Sequence, residues 1–248
     1  MLHDILKTSL AISEQAANIA LKAFELRDEY IRESKGLQDW VTEADRNVEA
    51  FIKQSLATAF PSHHFLGEET GGDLIPPGWV IDPIDGTTNF LYGIADFVIS
   101  MAFVDENGPA IGIICAPAHN RTIYAVRGEG CFENGKRLKV KDNGDAELVV
   151  GLNLNYQPGI PEDFVLKTQR MISHGHQIRM SGSAAWSLTQ VACGELDGCY
   201  VGEVNVWDAM AAQIICSETG LDTAPYFKHT GPIYAFPPSS SLKKLLID

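Results

Sequence analysis

The stretch Gly78-Trp79-Val80-Ile81-Asp82-Pro83-Ile84-Asp85-Gly86-Thr87-Thr88-Asn89-Phe90 runs from an apolar strand into two carboxylates on a stiff turn. Pro83 keeps Asp82 out of the helical region, and Gly86 permits a tight bend before two hydroxyl-bearing residues. Carboxylates presented together repel one another unless a cation lies between them. Hard oxygen ligands of this kind suit Mg²⁺, which keeps several waters and also binds substrate phosphate. The same residues also describe a surface turn in which Asp82 caps a short helix and Asp85-Gly86 makes a bend. By itself the D-x-x-D-G-T core leaves both readings open.

Outward from this run the chain mixes helix and strand patterns. Leu2, Ile5, Ile12, Ala16, Ile19, Ala20 and Ala23 recur at helical spacing and predict an amphipathic helix over residues 2 to 24. The polar residues 32 to 39 read as a loop. Thr42 then caps a second helix whose buried stripe is Ala44, Val48, Phe51, Ile52, Leu56 and Ala59, ended by Pro61. From Phe65 to about Val140, short apolar runs predict strands at 79 to 81, 97 to 104, 110 to 116 and 122 to 127. Turns fall at Asn107-Gly108 and at 117 to 120, and Asn134-Gly135 signals a hairpin. The rest reads as strand (147 to 154), helix (162 to 172), strand (176 to 180), helix (184 to 192), strand (196 to 201), helix (208 to 219) stopped by Gly220, strand (232 to 236) and a last short helix from Ser241. This predicts a layered α/β arrangement with no internal repeat and no linker long enough to separate two independent domains.

Composition narrows the function. The 248 residues are 45% hydrophobic and 21% charged, which provides for a large core. A formal charge of -13 argues against a nucleic-acid surface, which needs clustered Lys and Arg. An anionic ligand would then need positive charge from something other than side chains. No apolar stretch is long enough to cross a bilayer and no signal-peptide pattern opens the chain, so a cytoplasmic protein without membrane contact is expected. Cys115, Cys131, Cys193, Cys199 and Cys216 include no C-x-x-C pair and read as buried thiols. His63-His64 and His174-Gly175-His176 lack a third ligand at metal spacing and, like the Asn120-Arg121-Thr122 sequon, read as surface residues.

Two further acidic sites have ordinary local explanations. Phe65-Leu66-Gly67-Glu68-Glu69-Thr70 is an apolar strand ending in a solvated acid pair, and Val206-Trp207-Asp208-Ala209 places an Asp at a helix start, where the dipole favours it. Thr42-x-x-Asp45 is likewise a capping-box pattern.

Together these segments resemble the inositol monophosphatase family of lithium-sensitive, metal-dependent phosphatases. The resemblance covers nearly the whole chain and rests on Asp39-Trp40-Val41-Thr42-Glu43-Ala44-Asp45, Gly67-Glu68-Glu69, the 79 to 90 run, Gly128-Glu129-Gly130-Cys131-Phe132 with Asn134-Gly135, Gly182-Ser183-Ala184-Ala185, and Trp207-Asp208-Ala209 through Glu218-Thr219-Gly220. It implies a layered α/β/α/β/α sandwich of the inositol monophosphatase and fructose-1,6-bisphosphatase type, a single unit over 1 to 248 with a metal-binding half (1 to 140) and a second half (141 to 248), assembled as a homodimer. It further implies two to three Mg²⁺ ions. Glu68, Asp82 and the Ile84 carbonyl would hold one, Asp82, Asp85 and Asp208 a second, and a weaker third would lean on Glu68. A metal-activated water, oriented by the Thr87 hydroxyl paired with Asp45, would attack phosphorus. Backbone N–H groups of Gly86 and Thr87 would cradle the phosphate, with Asp85, Gly182, Ser183 and Ala184 lining the substrate pocket.

The substrate implied is a small phosphomonoester, but the chain departs from the family pattern where specificity is set. Members acting on inositol phosphates carry an acid on the strand before the Trp-Asp pair, and this chain has Val201 there. Glu203 would point with Val201 only if the strand register is regular. Polyol and sugar phosphates and histidinol phosphate therefore all stay open. Ala185-Trp186-Ser187 lacks the lysine typical of bisphosphate nucleotidases, which disfavours a nucleotide. An aspartyl-phosphate mechanism wants D-x-D rather than two acids separated by two residues. A partner-binding pseudoenzyme should have lost at least one of Asp45, Glu68, Asp82, Asp85, Thr87 and Asp208.

Overall fold

A computed structural model of the chain describes residues 2–27, 32–36, 39–139, 144, 147–154 and 162–247. The elements in chain order are α1 (Leu2–Glu25), β1 (Arg32–Gly36), β2 (Asp39–Thr42), α2 (Glu43–Ala59), β3 (His64–Gly67), β4 (Gly71–Gly72), β5 (Gly78–Asp85), α3 (Thr87–Tyr92), β6 (Val98–Asp105), β7 (Gly108–Ala116), β8 (Arg121–Val126), β9 (Gly130–Glu133) and β10 (Lys136–Arg137). They continue as β11 (Val149–Asn153), α4 (Glu162–Ser173), β12 (Gln177–Arg179), α5 (Ala184–Ala192), β13 (Gly198–Asn205), α6 (Val206–Thr219), β14 (Asp222–Thr223), β15 (Thr230–Phe236) and α7 (Leu242–Leu246).

Alternation along β5 explains why its sheet is covered on both faces. Trp79 and Ile81 join Ile12, Ala16, Val48 and Ile52 of α1 and α2 in one core. Val80 joins Leu188 of α5 and Ala211 and Ile215 of α6 in another, which Val201 and Ile233 of the second sheet close from the far side. A third core sets Val150, Leu152, Tyr200 and Phe236 against Met171 of α4 and Leu242 and Leu246 of α7. The layers are therefore α1/α2, sheet, α5/α6, sheet, α4/α7, the five-layered sandwich expected. Each fully buried large side chain in these cores contributes roughly 1.5–3 kcal/mol.

The first sheet runs β10-β9-β8-β7-β6-β5-β3-β4 and the second β12-β11-β13-β15-β14. In the first, β3 lies parallel to β5 while β5 pairs antiparallel with β6, so the ends of β3 and β5 emerge at one edge of the layer. In the second, β11 is parallel to β13, and β13 feeds directly into α6. Both sheets aim a strand end at the same place.

Four expectations need correction or placement. Residues 32–36 and 39 are strand rather than loop, because β1 and β2 pair antiparallel from Arg32 opposite Thr42 to Gly36 opposite Asp39. The pairing is made by backbone groups, and a polar sequence gives no alternating apolar signal for it. Cys193 is only half-buried, whereas the other four thiols are buried as expected. His176 is not a surface residue, and His63 is only partly exposed. His63 accepts the Trp79 indole N–H at 3.0 Å and stacks on Phe60 and Phe103, while buried His176 accepts the Leu148 N–H at 3.3 Å. The expected boundary between halves, at 140 and 141, lies outside the described residues. Among the described residues no helix is long and apolar enough to cross a membrane.

Candidate active site

All eight residues of β5 are buried, and its pairing with β6 slips between Asp82 and Asp85. The slip is the turn at Pro83-Ile84. Asp82 closes it by accepting the Ile84 N–H on Oδ1 at 2.9 Å, while the Ile84 side chain enters the α1/α2 core and its carbonyl lies 3.0 Å from the Thr87 hydroxyl. Gly86 follows with φ +101°, and a Cβ there would lie 2.9 Å from the Asp96 carbonyl oxygen, so only glycine fits this bend into α3.

Asp45 fulfils both of its readings. Its Oδ2 accepts the Thr42 N–H at 2.8 Å and the Thr42 hydroxyl at 2.5 Å, completing the capping box of α2. Its Oδ1 lies 3.1 Å from the Thr87 hydroxyl, across the layer. The single Thr87 proton can serve either Asp45 or the Ile84 carbonyl at one time. Burial raises the Asp45 carboxyl to about 6, against the lowering effect of the Thr42 bonds.

Glu68 stands at the end of β3, its N–H donated to the Ile81 carbonyl at 3.1 Å. Asp208 is the third residue of α6, where its Oδ2 accepts the Asn205 N–H at 3.0 Å. With Asp82 and Asp85 these acids line one cavity of about 470 Å³. Burial, then the charges of Glu68, Asp85 and Asp208, holds Asp82 well above the usual carboxylate range. Burial, then Asp85 and Glu68, does the same to Asp208. Asp85 is raised to about 6 by burial, opposed by the Ser183 hydroxyl and the Ala185 N–H, each 2.7 Å from Oδ2 at the start of α5.

Every expected site residue except Asp45 lines this cavity: Glu68, Asp82, Ile84, Asp85, Gly86, Thr87, Gly182, Ser183, Ala184 and Asp208. Asp45 lies behind the wall and reaches it through Thr87. Ser183 is also the α5 cap, accepting the Trp186 N–H at 3.0 Å. Two asparagines were not anticipated. Asn153 accepts the Ser181 and Gly182 N–H groups at 3.1 and 3.3 Å, and Asn89 donates to the Asp96 and Ser181 carbonyls, both at 2.6 Å, so the 181 to 183 loop is pinned from two sides. Neither Asn89, which follows Thr87-Thr88, nor Asn153, at the end of an apolar run, carries a sequence signal of this.

The Glu203 question resolves against an acidic contact. Pairing of β13 with β15 slips between Val201 and Val204, so Val201 and Val204 both line the cavity while Glu203 is exposed and outside its wall.

The donor set fits a hard cation. Four carboxylates and the Ile84 residue surround a cavity whose described lining includes no Lys, Arg or His. Among the described residues no group of three or more His, Cys, Asp or Glu side chains closes into a cage able to hold an ion unaided. Carboxylate and carbonyl oxygens are the hard donors that such a cation takes.

A family model described as the inositol monophosphatase family matches residues 1–234. The chain is 37% identical over 198 residues to a fructose-1,6-bisphosphatase/inositol-1-monophosphatase of Thermotoga maritima, covering 78% of this chain and 74% of that one. It is 31% identical to the Nus factor SuhB of Haemophilus influenzae, covering 99% and 95%. Among solved structures, the Thermotoga maritima inositol monophosphatase superposes with a TM-score of 0.84 at 32% identity, covering 94% and 92%.

Proposed function

This chain belongs to the inositol monophosphatase family and is a phosphoric monoester hydrolase, and on that premise we propose that it removes phosphate from a small polyol or sugar monophosphate with Mg²⁺ as cofactor. The observation carrying this reading is the convergence of Glu68, Asp82, Asp85 and Asp208 on one cavity without a described cationic side chain. Glu68, Asp82 and the Ile84 carbonyl would hold one ion, Asp82, Asp85 and Asp208 a second, with Glu68 supporting a weaker third. Bound Mg²⁺ supplies charge for the phosphate oxygens and activation for the attacking water.

The chain's own residues do the positioning. Thr87 presents its hydroxyl to the cavity, and Asp45 behind it, raised to about 6, can take up or release a proton close to neutral pH. The N–H groups of Gly86 and Thr87 at the mouth of α3 offer donors for phosphate oxygens. Asp85 holds the start of α5 and with it the Ser183 wall of the pocket. Histidinol phosphate remains an alternative ester. A bisphosphate nucleotide is disfavoured, since the described lining holds no cation for a second phosphate. A partner-binding role beside catalysis is suggested by the Nus factor from Haemophilus influenzae, yet the complete acid set argues that the chemistry is kept.

Phosphate release from the purified protein across inositol, sugar, histidinol and nucleotide monophosphates tests the reading. Excess chelator should abolish release and added Mg²⁺ restore it. Full activity in chelator would overturn the metal role, and no release from any ester would overturn the hydrolase reading.

A further inference from the structure

One buried carboxylate has no part in the chemistry above. Glu49 lies on α2, one turn after Asp45, and both are fully buried. A buried carboxylate is costly unless it is hydrogen-bonded, and its partners show what it organises. Glu49 Oε2 accepts the Glu69 N–H at 2.9 Å, while Oε1 accepts the Thr70 N–H at 3.0 Å and the Thr70 hydroxyl. Lys53, one turn further along α2, stands 4.0 Å from Oε1 and donates to the same Thr70 hydroxyl. Room for the carboxylate comes from Gly67, where a Cβ would lie 2.4 Å from Oε1 and 2.6 Å from the carboxyl carbon.

Glu68 is therefore held from both sides. Its own N–H is tied to Ile81 of β5, the strand that carries Asp82, and the next two N–H groups are tied to Glu49. Helix α2 thus reaches two site loops from one face, with Asp45 at Thr87 and Glu49 at the 68 to 70 turn.

We propose that Glu49 is a positioning residue that fixes Glu68 relative to Asp82 and so sets metal affinity. The proposal rests on the metal-dependent reading of the cavity. A purely structural cap would lower thermal stability and leave the metal affinity of the folded protein unchanged. A positioning role shifts the affinity itself, typically about 10- to 100-fold for a group acting through a ligand.

The test uses the full chain with Mn²⁺ as probe, followed by direct titration calorimetry, beside the Mg²⁺ concentration for half-maximal phosphate release. Glu49→Gln keeps one acceptor oxygen and should weaken Mn²⁺ binding about 10-fold; Glu49→Ala removes both and should approach the upper end of that range. Gly67→Ala, which crowds the carboxylate, should behave like Glu49→Gln. Saturating Mg²⁺ should recover most of kcat in each, and hydrogen exchange at the Glu69 and Thr70 amides should quicken. Wild-type Mn²⁺ affinity in a folded Glu49→Gln or Glu49→Ala protein overturns the proposal, and Glu49→Gln decides if Glu49→Ala does not fold. If the wild type releases no phosphate but Glu49→Gln still weakens Mn²⁺ binding, the positioning stands and the hydrolase reading falls. If the wild type binds no Mn²⁺, the positioning proposal falls.

Discussion

Where the two sheets meet at the cavity, they bring different materials. The eight-stranded sheet contributes Glu68, Asp82 and Asp85 on strand ends held by Glu49 and Asp45 of α2 and, through the Asp85 carboxylate, by the start of α5. The five-stranded sheet leads into Asp208 at the start of α6, and the wall on that side sets the apolar Leu154, Met180, Val201 and Val204 beside the neutral polar Asn153, Ser181, Ser183 and Asn205, with Met180 55% exposed. One side is charged and held by hydrogen bonds at 2.5 to 3.1 Å. The other, Asp208 apart, is uncharged. On the proposed function the first side would remove phosphate and the second would choose the ester, a division that can be broken by substitutions that cross the line.

The largest effect is expected at Asp85. Asp85→Asn keeps an oxygen for the Ser183 hydroxyl and the Ala185 N–H, so the start of α5 and the fold should survive. It removes a negative charge shared by the proposed second metal position. Turnover should fall by more than about 100-fold, beyond what groups acting at one remove produce, with circular dichroism unchanged. Wild-type turnover in this variant would mean that the charged side is not where phosphate is removed.

Next in size is the pH dependence of the charged side without metal. Asp45 and Asp85 are each raised from 3.8 to about 6, so the folded state binds more protons than the unfolded chain between those values. Stability from these groups is fully present below about pH 4 and is lost as pH rises through about 6, on the order of 3 kcal/mol for each. Asp105, lowered by its bond to Arg127, acts in the opposite sense, but only as pH falls below the usual carboxylate range. Thermal melts in chelator should therefore show a midpoint that drops from pH 4.5 to pH 7, values chosen as roughly the two ends of this window. Mg²⁺ at pH 7 should recover it. A midpoint that climbs over the same interval would show that the carboxylates are not confined together as the geometry requires.

The two sides also differed in how openly the sequence declared them. Helices α1 and α2 and strands β5 to β8 follow from apolar spacing, and the Thr42-x-x-Asp45 cap is legible to the residue. Asp82 and Asp85 can be suspected from a turn, whereas Asp208 has only the appearance of a helix start until the family resemblance links it to them. Asn89, Asn153 and Glu49 gave no signal, because each acts through contacts 7 to 92 residues away in sequence that periodicity does not encode. The pairing of β1 with β2 was hidden for a different reason: a polar sequence gives no alternating apolar signal for it. The position of Glu203 depended on a register slip in β13, and one residue of slip moves a side chain to the other face.

The smallest expected effect is the most informative about the uncharged side. Val201 is 1% exposed and lines the cavity, so Val201→Glu would place a carboxylate where a hydroxylated leaving group can reach it. A hydrogen bond to a substrate hydroxyl should favour inositol 1-phosphate over p-nitrophenyl phosphate, which has no hydroxyl to offer, by about 10-fold in kcat/KM. The substitution also buries a charge and should cost some stability, so Val201→Gln serves as a neutral partner with the same reach. If both variants shift the ratio, Val201 stands against the leaving group and the native wall selects for esters poorer in hydroxyls at that point. If neither does while both still turn over, selection lies elsewhere, and the division between a charged side that cleaves and an uncharged side that chooses does not hold.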